Sequence, residues 1–190
     1  MHTLDILKSH CENCTDCPLC ETRHNIVFGT GNPYSKIMFI GEAPGEKEDL
    51  TALPFVGRGG ILLDELIAEI GLYRDKNIYI ANSVKCRPPK NRDPSTSEQK
   101  TCLHWLEKQI EIIDPKIIVC VGRISAMRFI KKDIKIMKEH GQFFEKDGRL
   151  YMPVLHPAAI LRNINNKPLA REDFKLLENK INELELLFNI

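Results

Sequence analysis

The chain has 190 residues, enough for one domain with a substantial core. Hydrophobic residues make up 43% and charged residues 28%, the balance of a globular chain rather than of a disordered or fibrous one. With 27 basic residues against 26 acidic ones, bulk charge neither requires nor excludes a polyanionic partner, and local clustering must decide.

Residues 1–30 read as an N-terminal arm: a short helix ending near His10, then a cysteine-rich turn. The opening MHTLDILKSHCENC lacks the apolar stretch and cleavage site of a secretory signal, so a cytoplasmic location is the expectation. Four apolar, β-branched runs follow: KIMFIG (36–41), NIYIAN (77–82), KIIVCV (116–121) and LYMPVL (150–155). They are strand-sized and far short of a membrane span, and near-continuous apolar strands suit a parallel sheet covered on both faces. Helical patterns alternate with them. Leu62, Leu63, Leu66, Ile67 and Ile70 share one face of a predicted helix that Gly71 stops. Ser95 and Glu98 form a capping box ahead of a helix to about Ile113. Gly122 precedes a helix to about Ile130, and Phe174, Leu177, Ile181, Leu184 and Phe188 mark one long amphipathic C-terminal helix. The predicted fold is therefore α/β: a three-layer αβα sandwich around a short, four-stranded, mainly parallel sheet, with residues 1–190 as a single domain.

In such folds ligands sit beyond the carboxyl ends of the strands, and three of the four runs end in chemically capable residues. The first leads into Gly41-Glu42-Ala43-Pro44-Gly45, a tight loop whose amides can approach a ligand and whose Glu42 can position or activate water. On these five residues alone, an ordinary turn with a surface glutamate is the simpler reading. PFVGRGG (54–60) opens a helix; Phe55 is either a stacking platform or a core aromatic, and Arg58 stands beside it. The acidic run Glu46–Asp49 between these loops reads as a solvated face with no role. The second run ends in Asn82, whose amide offers a donor and an acceptor matching the imide edge of uracil or thymine. Lys85, Arg87, Lys90 and Arg92 follow as a basic cluster suited to phosphates. The fourth run ends in His156-Pro157, where a neutral imidazole can support an oxyanion, and Leu161-Arg162 beyond it combine an apolar wedge with a phosphate contact.

Seven cysteines, an odd number, argue against a disulfide framework. Cys14 and Cys17 form a C-x2-C pair that Cys20 extends, while Cys86 and Cys102 lie far downstream. Thiolates from such distant stretches point to a metal or an iron–sulfur cluster, with zinc the first choice from spacing alone. Cys120, inside an apolar run, reads as packing.

Taken together, NCTDC (13–17), GEAPGEKED (41–49), PFVG (54–57), NSVKCRPPKNRDP (82–94) and HPAAILRN (156–163) resemble the family 4 uracil-DNA glycosylases, the iron–sulfur branch of their superfamily. The resemblance implies a [4Fe–4S] cluster on Cys14, Cys17, Cys86 and Cys102, with Cys11 and Cys20 not ligands. It implies hydrolysis of the bond between uracil and deoxyribose after the base is flipped out of DNA, leaving an abasic site. It assigns Glu42 to the attacking water, His156 to the departing uracil, and Phe55 and Asn82 to the flipped base, with Gly41 and Ala43 in the loop whose amides meet the developing anion. Lys85, Arg87, Arg58, Leu161 and Arg162 become the DNA contacts. The chain departs from the family pattern at Ala52, where glycine is expected, and at Gly59, where alanine is common. The rival from another class is a non-catalytic cluster- or zinc-bearing DNA-binding module using the same basic loop. Nothing in the sequence calls for a dimer, so a monomer is expected.

Overall fold

The computed structural model describes residues 3–187. Six strands form one sheet in the order β1-β3-β2-β4-β6-β5. Four of them are the predicted runs: β2 (Ile37–Gly41), β3 (Tyr79–Asn82), β4 (Ile117–Val121) and β6 (Arg149–Val154). These pair in parallel, Gly41 opposite Asn82 and Val121 opposite Val154. The expectation of four strands is corrected to six by two short edge strands, β1 (Thr30–Gly31) and β5 (Phe144–Lys146), both antiparallel. Neither carries an apolar run; each exists because it completes the backbone hydrogen bonding of a neighbour.

Helices cover both faces, as period-two alternation requires. Ile37 and Phe39 of β2, Ile117 and Val119 of β4, and Met152 of β6 pack against α3 (Arg58–Ala68), α7 (Pro157–Arg162) and α8 (Lys167–Glu183). Their neighbours Met38, Ile40, Ile118 and Cys120 face α1 (Thr3–Cys11), α4 (Thr96–Ile113) and α5 (Arg123–Phe129). α6 (Ile136–Glu139) lies between α5 and β5 in the chain.

The Ser95–Glu98 capping box forms, Glu98 N–H donating to Ser95 Oγ at 3.2 Å and Ser95 N–H to Glu98 Oε2 at 2.7 Å. α3 ends at Ala68, a little before the predicted stop, and Gly71 at φ 72° lies in the turn that follows it. α8 stops at Glu183, earlier than predicted, because Glu185 turns left-handed at φ 52°; Leu184 is left 40% exposed, and Phe188 lies outside the described residues. Among the described residues no helix is long and apolar enough to cross a membrane.

The acidic run read as a solvated face instead forms α2 (Glu46–Thr51) and is structural. Asp49 is buried and its Oδ1 accepts from the backbone N–H groups of His24 and Asn25 at 2.9 and 3.2 Å, fastening the arm to the fold. Glu48 takes Gly45 N–H on one oxygen at 3.1 Å and Val56 and Gly57 N–H on the other at 2.9 and 2.8 Å. It thereby knits the 41–45 loop to the 54–57 loop.

Candidate active site and cysteine cluster

β3 and β4 flank β2, the first long strand, so the chain order reverses beside it; that is where a doubly wound sheet opens a crevice. A cleft of about 880 Å³ lies at this end of the sheet, lined by Glu42, Ala43, Phe55, Arg58, Asn82, His156 and Arg162, among others. The tips of β2, β3 and β6 thus meet in one place. So does the tip of β4, whose Gly122 and Arg123 also line the cleft. The sequence reading gave these two no role at the site, although they follow the carboxyl end of a buried strand as the other site residues do.

Gly41 makes the convergence possible. A methyl built on it would stand 2.4 Å from Asn82 Oδ1 and 2.5 Å from the tip of the Phe55 ring. Only glycine lets the amide and the aromatic ring close over the same strand end. Asn82 is 2% exposed, and among the described residues no group donates to its Oδ1. A buried, unpartnered carbonyl oxygen costs about 1–3 kcal/mol unless something supplies a donor.

His156 caps α7 with its ring: Ala158 N–H donates to Nδ1 at 3.1 Å. A backbone amide can only donate, so Nδ1 is the unprotonated nitrogen and the neutral ring carries its proton on Nε2. Burial, aided by the Arg162 charge, pulls its pKa down to about 4, so the ring is neutral at physiological pH. Gly122, at φ 92°, leaves room for it; a methyl there would meet His156 Cβ and Cδ2 at 3.0 Å. The Phe55 and His156 ring centroids are 6.0 Å apart.

Glu42 has its pKa raised to about 7, chiefly by burial and then by Asp93, with Arg123 opposing. A second negative carboxylate so close disfavours the charged form of Glu42. Asp93 is a second carboxyl at the site that the sequence reading did not single out.

The proposed DNA contacts divide. Arg58 and Arg162 are exposed on the cleft, Arg92 and Arg123 join them, and Leu161 stands exposed next to Arg162. Lys85 is a correction. It is 1% exposed, its Nζ donating to Asn82 O at 3.0 Å and Gln109 Oε1 at 2.5 Å, so it cannot meet phosphate. Lys85 turns inward because Gln109 on α4 offers a buried acceptor beneath the strand tip. Arg87 is half-buried and tied to Asn91 Oδ1 at 2.7 Å and to Glu46. Of the two departures, Ala52 adopts the left-handed conformation a glycine would supply, φ 59°. A methyl on Gly59 would meet Pro157 at 3.6 Å, ordinary contact, so space does not demand glycine there.

Behind the cleft, Cys14, Cys17, Cys86 and Cys102 line a second cavity with Cys11 and Cys20. Three of the four predicted ligands receive N–H donors: Trp105 Nε1 to Cys14 Sγ at 3.4 Å, Arg23 Nη1 to Cys86 Sγ at 3.3 Å, and Lys85 N to Cys102 Sγ at 3.3 Å. Donors aimed at sulfur favour thiolates, whereas burial outweighs them and pushes Cys102 up to about 11. A positive group bound among them would reconcile the two. Among the described residues no three His, Cys, Asp or Glu side chains lie close enough to hold a single ion. Tetrahedral zinc at about 2.3 Å would need sulfurs about 3.8 Å apart. A [4Fe–4S] cluster would instead give each of the four thiolates its own iron.

Known proteins resemble the chain over most of its length. The family model described as the uracil DNA glycosylase superfamily matches residues 28–180. The chain is 45% identical to the type-4 uracil-DNA glycosylase of Thermotoga maritima, over 86% of each chain. It is 44% identical to that of Sulfurisphaera tokodaii, over 98% of this chain and 86% of the relative, and 40% identical to that of Archaeoglobus fulgidus, over 97% and 94%.

Proposed function

The chain belongs to the uracil DNA glycosylase superfamily, and from that membership we propose a type-4 uracil-DNA glycosylase that removes uracil from DNA as the first step of base repair. One observation carries the assignment of the site: the buried, unpartnered Oδ1 of Asn82 in a cleft bounded by an aromatic ring and a neutral histidine. Uracil presents an N3–H donor beside a carbonyl acceptor, the complement of an asparagine amide. Cytosine presents an acceptor at N3 and would leave Oδ1 unsatisfied.

In this reading the base stacks on Phe55 and is read by Asn82. Cleaving the glycosidic bond builds negative charge on uracil and positive charge on the sugar. His156 supports the anion through Nε2–H, and a neutral donor does so without holding the product as a tight ion pair. Ionised Glu42 orients water and favours the cationic sugar. Arg58, Arg123 and Arg162 hold flanking phosphates, and Leu161 fills the space the base vacates. Cys14, Cys17, Cys86 and Cys102 would hold a [4Fe–4S] cluster. Its contribution when bound is a rigid cross-link of the arm, the loop after β3, and α4.

The pH profile tests Glu42. Only its ionised form serves, so single-turnover uracil release should rise about tenfold per pH unit below 7 and level off above it. Glu42→Gln should lower the plateau by about 10²-fold or more and abolish the rising limb; an unchanged limb in the variant would assign it elsewhere. The same burial destabilises the folded state at high pH. The folded form binds the proton more tightly than the unfolded one, so stability falls as pH climbs from the ordinary carboxylate range through about 7. Glu42→Gln should therefore melt higher than the parent at pH 8 and close to it at pH 5.

A further inference from the structure

Phe55 stands in a backbone conformation that an aromatic residue rarely adopts. Its φ is 53°, in the left-handed region, at a cost on the order of 1–2 kcal/mol. Something must hold it there. Arg74, nineteen residues on in the turn before β3, donates from Nη1 to Pro54 O at 2.6 Å and from Nη2 to Phe55 O at 2.5 Å. Its Nε is anchored on Asp64 Oδ1 of α3 at 2.6 Å. Glu48 grips the amides of Val56 and Gly57 just beyond, and Gly60 has no side chain where a methyl would stand 1.7 Å from Phe55 O. The loop is thus held by its carbonyls on one side and its amides on the other. The Arg74 side chain is 20% exposed and lines a separate cavity on the far side of Phe55, with Asp64 and Asp75.

From this geometry we propose that Arg74 is a positioning residue for base recognition: its guanidinium fork, aimed by Asp64, fixes the strained backbone that presents the Phe55 ring to the flipped base. The proposal rests on Phe55 being the stacking platform. A planar fork is what the site needs, since two carbonyls accept in parallel while a third nitrogen is held by a carboxylate. Lysine can reach one carbonyl but cannot bridge both. Without the fork the loop relaxes toward ordinary backbone angles and the ring leaves its place over Gly41.

A double-mutant cycle on the full-length, iron-loaded protein tests this, reading single-turnover uracil release from a uracil-containing oligonucleotide. Arg74→Met should lower kcat/KM by about 10–100-fold, the scale of an ångström-sized misplacement, with the loss mainly in KM. In a Phe55→Ala background the same change should cost less than about twofold, because the ring it positions is gone. Arg74→Lys should recover only part of the loss. If Arg74→Met will not fold, Asp64→Asn, which frees the guanidinium without removing it, should give a weaker effect of the same kind, again absent beside Phe55→Ala. Equal losses in the two backgrounds would overturn the proposal and make Arg74 purely structural. If Phe55→Ala alone leaves excision unchanged, the platform reading fails and the proposal with it. A full loss that Arg74→Lys restores completely would show that charge, not the fork, matters, and would overturn it too.

Discussion

Cys102→Ala is expected to strip the protein of iron and of its broad visible absorbance, and to lower its melting temperature by about 8–16 °C, as the loss of roughly 4 kcal/mol would in a chain of this size. The reason is architectural. Cys102 projects from α4, Cys86 from the loop after β3, and Cys14 and Cys17 from the turn after α1, so the proposed cluster would cross-link three segments at one point. Remove one ligand and the metal it helps hold is lost, leaving free thiols, two of them buried at Cys86 and Cys102 in the parent, around a cavity that Lys85 also lines. Cys86→Ala should behave alike. Cys120→Ala is the control: that thiol is buried within β4, away from the cavity, and its loss should leave the iron in place. Iron retained by Cys102→Ala, or lost from Cys20→Ala, would require a different ligand set.

Asn82→Ala should reduce uracil excision by about 10²–10³-fold, the scale of losing a directed hydrogen-bonding group at a reacting centre. Binding of the same DNA should weaken by less than about threefold, since phosphate contacts dominate affinity. The separation matters because Asn82 lies deep in the cleft while the arginines lie on its rim. Folding should not suffer, since the variant removes a polar atom that no described group satisfies. A parallel fall in binding and excision would mean that Asn82 shapes the surface rather than reading the base.

How much of this could be read from the sequence differs residue by residue. The four parallel strands announce themselves because each is buried on both faces and so is apolar without interruption. The edge strands do not: Thr30–Gly31 is fixed by its pairing with Tyr79 and Ile80, a fact with no local signature. The capping box at Ser95 is legible because its chemistry is contained in four residues. Glu48 and Asp49 are not, because the amides they satisfy come from residues 24, 25, 45, 56 and 57, and a carboxylate used this way looks like any surface charge. Lys85 shows the converse error. Four basic residues in one loop suggest a single surface, yet the loop leaves a buried strand and its first lysine follows the fold inward to Gln109. Arg74 sits in a turn with no motif, and its importance appears only once Phe55 is seen at positive φ.

The most direct test of the shared cleft is a structure of the slowed Glu42→Gln variant with a uracil-containing single strand. The everted uracil is predicted to lie against the Phe55 ring with its imide edge on the Asn82 amide and its O2 side toward His156. A base seated elsewhere, for instance in the cavity bounded by Arg74 and Asp75, with Asn82 Oδ1 still unpartnered, would contradict the account.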